Sequence, residues 1–258
     1  MSEALERELG TPSGSVRERE VWTALGSVRD PELDEPITEL KFVTEVRVAG
    51  GAVHVRLRLP TYFCAPNFAY LMVADAYDAV SALDWTEDVT VRLEDHFASE
   101  EINGGVAGDA GFRGSFPGEA DAELDELRAT FQRKAHAACL ERSCRTLLDQ
   151  GWQIEGLSSA RLSDLPQSPT TEALLRRRSE IGLGTQPSDP LVVDASGEPV
   201  ADVPHHLRYA KAVRVSIEGN GIFCRGLLKT RYGDETSEGT LSGVQTFIPV
   251  GQLSRRAS

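Results

Sequence analysis

The chain has 258 residues, 40% of them apolar, and carries a formal net charge of −13 from 27 Lys and Arg against 40 Asp and Glu. That is enough apolar material for one large domain or two small ones, so a wholly disordered chain is excluded. The acidic balance opposes a general attraction to nucleic acid or anionic membrane, and no apolar run approaches the ~20 residues of a membrane span.

Residues 1–15 end in Thr-Pro-Ser-Gly-Ser and read as a flexible tail without an apolar signal core. Val16 to Ser27 has the spacing of a short amphipathic helix, with Val21, Trp22, Leu25 and Val28 on one side. Asp30-Pro31 stops it, because the residue before proline avoids the α region. Phe42 to Ala49 then alternates, Gly50-Gly51 forms a two-residue turn, and Val53, Val55, Leu57 and Leu59 alternate with His54, Arg56 and Arg58. This predicts a β-hairpin with one buried face. Cys64-Ala65-Pro66 opens a helix, in which Ala69, Met72, Val73, Ala76, Val80 and Leu83 form the apolar stripe. Val89, Val91 and Leu93 mark a third strand. The helix before it has crossover length, so strands two and three can pair in parallel.

Residues 96–118 are rich in glycine and read as a linker. A long helix is expected over 119–151, ended by Gly151. Ser168-Pro169 starts another helix. Val213, Val215 and Ile217 alternate up to Glu218-Gly219-Asn220-Gly221, and Ile222 to Leu228 returns, which predicts a second hairpin. The expected fold is therefore α+β. A small α-β-β-α-β domain over 16–95 comes first, then the linker, the long helix, and a second small α+β region over 152–250 containing a β-hairpin. Residues 251–258 close the chain as a tail.

Three segments in order resemble the metal–sulfur (iron–sulfur) cluster assembly domain found in SufT and PaaD proteins. They are Asp30-Pro31-Glu32-Leu33 followed by Ile37 to Val43, the Val46 to Leu59 hairpin, and Leu59-Pro60-Thr61-Tyr62-Phe63-Cys64 ahead of the helix. Lys41 stands where that family usually has glycine, Phe63 where it has a small residue, and Ala65 where proline follows the cysteine, with Pro66 one place later. The resemblance implies a cluster-handling site at Cys64, with Thr61, Asp30, Glu32 and Glu39 around it. It implies no role for the rest of the chain.

Cys64 sits where a strand gives way to a helix. Orphan N–H groups and the positive end of the helix dipole favour negative charge there, and thiolate is the form that binds metal. One thiol cannot hold an iron–sulfur cluster, which normally takes four protein ligands. Further ligands must come from a second copy, a client protein or elsewhere in this chain. His96 is one such donor, against the simpler reading of an exposed loop histidine. His136 and Cys139 share a helix face and could join Cys64 on one metal. The simpler reading makes Cys139 a small core residue and His136 a surface one. Cys224 reads as core and Arg176-Arg177-Arg178 as a solvated face. Sparse cysteines without C-x-x-C spacing suit reduced thiols in a cytoplasmic protein.

The leading reading is a non-enzymatic maturation factor that carries iron or an iron–sulfur cluster to a client metalloenzyme, an oxygenase being a natural client. Its partners would be that client or other cluster-assembly proteins, with a homodimer also compatible. The alternatives are an interaction module or accessory chaperone without metal, and a thiol enzyme with Cys64 as nucleophile.

Overall fold

The computed structural model describes residues 15–108, 115–116 and 121–233, so the expected tails over 1–15 and 251–258 lie outside the described residues, apart from Ser15. Helix α1 (Val16–Leu25) begins at Ser15, whose side chain accepts from the Glu18 N–H while Glu18 returns a bond to the Ser15 N–H. This capping box satisfies two donors that a helix start leaves unpaired. Strands β1 (Val43–Ala49) and β2 (Ala52–Arg58) form the expected antiparallel hairpin, pairing Val43 with Leu57 and Ala49 with Ala52. Gly50 takes the left-handed backbone the tight turn requires, with φ 64°. Helix α2 (Pro66–Ser81) crosses over to β3 (Asp88–Glu94), which pairs in parallel with β2 from Ala52↔Asp88 to Arg58↔Glu94.

The alternation decides the faces. Val53, Val55, Leu57, Val91 and Leu93 point into a core shared with Val21 and Leu25 of α1 and Ala69, Val73, Ala76 and Val80 of α2. The outer face is charged, and Arg56 bridges Glu45 and Glu94 across the three strands at 3.1 and 2.6 Å.

The stretch expected as linker contains a helix, α3 (Ser99–Ala107), whose Ile102 and Val106 belong to this same core. Its Asn103 side chain accepts from the Leu93 N–H and donates to the Leu93 carbonyl, at 2.8 and 3.0 Å, and so covers one position on the free edge of β3. One of the glycines that suggested a linker, Gly105, serves packing instead. A Cβ on Gly105 would collide with the Ser115 side chain.

Three further helices form the second half: α4 (Asp121–Asp149), α5 (Pro169–Glu180) and α6 (Val203–Tyr232), with 3-10 turns at Ile154–Ser159 and Leu162–Asp164. Cys139, Leu140, Cys144, Leu147, Leu174, Leu191 and Leu207 fill a second core between them. The expected hairpin over 213–228 is not formed. Those residues lie within the 30-residue helix α6, started by Asp202, which caps the His205 N–H, and by Pro204 in its first turn. The described part of 152–250 thus holds helices, turns and isolated β-bridges but no strand, and the α+β character of the chain resides in its first half. The arginine run is not a solvated face either. Arg178 is fully buried and donates to the carbonyls of Gly184 and Leu191 at 2.5 and 3.2 Å, while Arg177 is buried against Asp34 and Glu180.

The two halves are bolted together by polar contacts. Arg128 of α4 makes a two-pronged pair with Asp75 of α2 at 2.8 and 2.7 Å, beside a T-shaped contact of Phe68 and Phe131. Arg214 of α6 is buried against Glu141 of α4 at 2.6 Å and also pairs with Glu218.

Candidate functional site

Strand β2 runs into the loop Leu59–Ala65, and Cys64 stands two residues before Pro66 opens α2. Its thiol is half-buried and lies 3.3 Å from the Thr61 hydroxyl. A second loop, just beyond β3, holds this one in place. The Phe97 N–H donates to the Tyr62 carbonyl at 3.1 Å, and His96 contacts the Cys64 carbonyl at 2.8 Å through Nε2. The Ala98 N–H points at His96 Nδ1 from 3.2 Å, so Nδ1 accepts and Nε2 carries the proton it gives to Cys64. Burial lowers the imidazole pKa and the Arg231 charge adds to this, against the bond to Cys64. His96 is therefore neither an exposed loop residue nor a free metal donor. Both ring nitrogens are committed to positioning the cysteine loop.

Beside the thiol, Tyr62, Phe63 and Phe97 are 46, 77 and 47% exposed. Their rings lie 5.0 to 6.3 Å apart and make one aromatic patch.

Asp30 is buried and accepts from the N–H groups of Glu32 and Leu33, both at 2.8 Å, closing the turn after α1. Burial pushes its carboxyl up to about 6, and Glu32 and Glu35 add to this against the two N–H bonds. Glu32 is half-buried and receives a bond from Asn220 of α6 at 3.1 Å. Glu39 is exposed. It lines a cleft of about 430 Å³ under the end of α6, together with Lys41, Leu228 and Tyr232. Lys41 there keeps a left-handed backbone, φ 61°, the conformation for which glycine is the usual residue.

His136 and Cys139 do not join Cys64. Cys139 is buried in the second core, where burial raises its pKa, whereas Cys64 packs on the first. His136 is buried too, pushed down to about 4 by burial, Arg178 and His206. Among the described residues no group of three or more His, Cys, Asp or Glu side chains is arranged to hold a metal ion. Cys64 and Cys139, which the sequence spacing had suggested combining, pack on different cores.

Cys224, read from the sequence as a core residue of a hairpin, is placed differently. It lies on α6, half-buried against the same core as Cys64. Its thiol is pushed up to about 11, first by burial and then by Asp30, Cys64 and Glu32. The signal existed in the helical spacing of Leu207, Ala210, Arg214, Ile217, Gly221, Cys224 and Leu228, which the glycine-rich stretch at 219–221 obscured.

Residues 18–93 match the family described as iron–sulfur cluster assembly protein. The sheet domain is a member of that family. The match contains Asp30, Glu32, Glu39, Thr61 and Cys64 and stops before His96, so α3 to α6 lie outside it. No curated protein matches the chain. Iron–sulfur cluster assembly is the general activity this membership supports. No helix among the described residues is long and apolar enough to cross a membrane.

Proposed function

We propose that the protein is a maturation factor that passes iron, or an iron–sulfur unit, to a client metalloenzyme, with Cys64 as an exchangeable ligand. The observation that carries this reading is the state of that thiol. It is half-exposed between the end of a parallel strand and the start of a helix, with one hydroxyl beside it and, among the described residues, no complete set of donors around it. A closed four-ligand site holds its metal, whereas an incomplete one leaves positions for a client's own ligands. The aromatic patch of Tyr62, Phe63 and Phe97 suits contact with that client, since aromatic side chains dominate the buried centres of protein interfaces. An iron-dependent oxygenase is the proposed client class.

The test is anaerobic reconstitution with iron and sulfide, comparing the wild type with Cys64→Ser by iron and sulfide content and visible absorption. A chromophore bound stoichiometrically by the wild type and absent from the variant supports the reading. Equal retention by both proteins, or by neither, overturns it.

A further inference from the structure

Helix α6 is fixed to the sheet domain at three places around the cysteine loop. Asn220 donates to Glu32 at 3.1 Å, and Arg225 pairs with Glu35 at 2.5 Å. Arg231 donates to two carbonyls, Leu59 at 3.3 Å and Asp95 at 2.7 Å, one on each side of the site. Residues 220, 224, 228 and 231 fall on one stripe of a helix. Leu228 packs on the first core, as Cys224 does. Cys224 is thus ~6 Å along the axis from an anchor on the Asp30 turn and ~10 Å from an anchor on the Cys64 loop. The stripe facing the site presents one thiol, and it lies between these anchors.

The electrostatics agree with the placement. The charges that Cys224 feels are those of Asp30, Cys64 and Glu32, with Arg225 opposing and itself paired to Glu35. These influences place Cys224 beside Cys64 and the Asp30 turn.

We infer that Cys224 is the second thiol of the Cys64 site, so that a thiophilic divalent cation binds between the sheet domain and α6. This rests on the proposed role of Cys64 and adds a ligand from outside the family-matched segment. Binding releases one proton from each thiol, forms two metal–sulfur bonds and changes no oxidation state. Two sulfurs leave the coordination sphere half filled. The cargo is then held by a bidentate grip rather than by one sulfur, with the remaining positions open to the client.

Cobalt(II) and phenylarsine oxide test this on the full chain, as wild type, Cys64→Ser, Cys224→Ser and Cys139→Ser. Cobalt reports bound thiolates by its near-ultraviolet charge-transfer band. The arsenical closes across two neighbouring thiols with loss of water, and mass spectrometry identifies which thiols it protects from alkylation. The expected result is a bridge between Cys64 and Cys224 in the wild type and in Cys139→Ser. In Cys224→Ser the cobalt band should fall to about half, one thiolate remaining of two. Affinity there should weaken at least ~10-fold, the loss that removal of an outer partner already causes. A band lost in Cys64→Ser but unchanged in Cys224→Ser, with no arsenical bridge, overturns the inference and leaves the Cys64 reading standing. No cobalt binding by the wild type, or none sensitive to Cys64, overturns both.

Discussion

The sheet region and the helical layer treat their thiols in opposite ways. In the layer, Cys139 and Cys144 of α4 are sealed in an apolar core and serve as small packing residues. At the seam with the sheet region, Cys64 and Cys224 are half-buried among carboxylates, a hydroxyl and an exposed aromatic patch. Cysteine count therefore says little about chemistry here. What separates the two pairs is placement, one inside a core and the other at the seam between the two regions.

The sharpest way to break this comparison is alkylation. Burial, with Glu141 adding, pushes the Cys144 thiol up to about 12, so about one molecule in 10⁴ carries thiolate there at pH 8. Cys139 and Cys144 should remain unmodified in native protein while Cys64 reacts, as read by peptide mass after timed quenching. Comparable labelling of all four would erase the distinction. Next in size is the core of the sheet region. Phe42 is 1% exposed, and Phe42→Ala should cost about 3–5 kcal/mol in denaturant unfolding. Given the Arg128–Asp75 and α6 contacts, the helical layer should unfold in the same transition. A second, unshifted transition would show the two regions to be independent units.

Asp30 sharpens the comparison through pH. Its folded pKa, about 6, lies above the ordinary 3.8, so the folded state binds the proton more tightly. The stability this gives is complete below pH 3.8 and is lost as pH rises through 6. Asp30→Asn keeps an oxygen for the Glu32 and Leu33 N–H groups without the buried charge. It should stabilise the protein by about 1–3 kcal/mol at pH 8, and the advantage should vanish between pH 6 and 4. Denaturant midpoints at pH 8 and pH 4.5 check this, and a gain independent of pH would contradict it. The smallest effect is expected at Lys41, whose left-handed backbone is sterically costly for a side chain. Lys41→Gly should raise stability by about 0.5–1 kcal/mol, and an equal loss would mean that the lysine stem packs under α6.

The two regions also differ in how far their sequences disclose them. In the sheet region the relevant contacts are local. Period-two alternation around Gly50-Gly51 specifies the hairpin, and Pro66 marks the start of α2. The parallel pairing follows from the length of the crossover, and Cys64 is found from its place between them. In the helical layer, the 213–228 stretch satisfies a strand pattern and a helix pattern together. What decides is packing against α4, where Arg214 meets Glu141 across 73 positions. That pairing is invisible to a window of a dozen residues. So is the burial of Arg178, whose partners are carbonyls in a later loop. The same limit hid how α6 packs beside the Asp30 turn and Cys64. Asp30, Thr61 and Cys64 could be named from one segment, but Cys224 and Asn220 come from about 160 and 190 residues away and need the whole fold to reach it.

Arg231 has one further implication. Strands β2 and β3 run in parallel, so the loops that leave them open at the same edge of the sheet, and the gap between those loops is the mouth of the site. A single guanidinium grips a carbonyl on either lip. The two lips are already joined by the Phe97–Tyr62 and His96–Cys64 bonds, and the last turns of α6 add a third tie. A helix outside the family-matched segment thus staples the edge at which Cys64 sits.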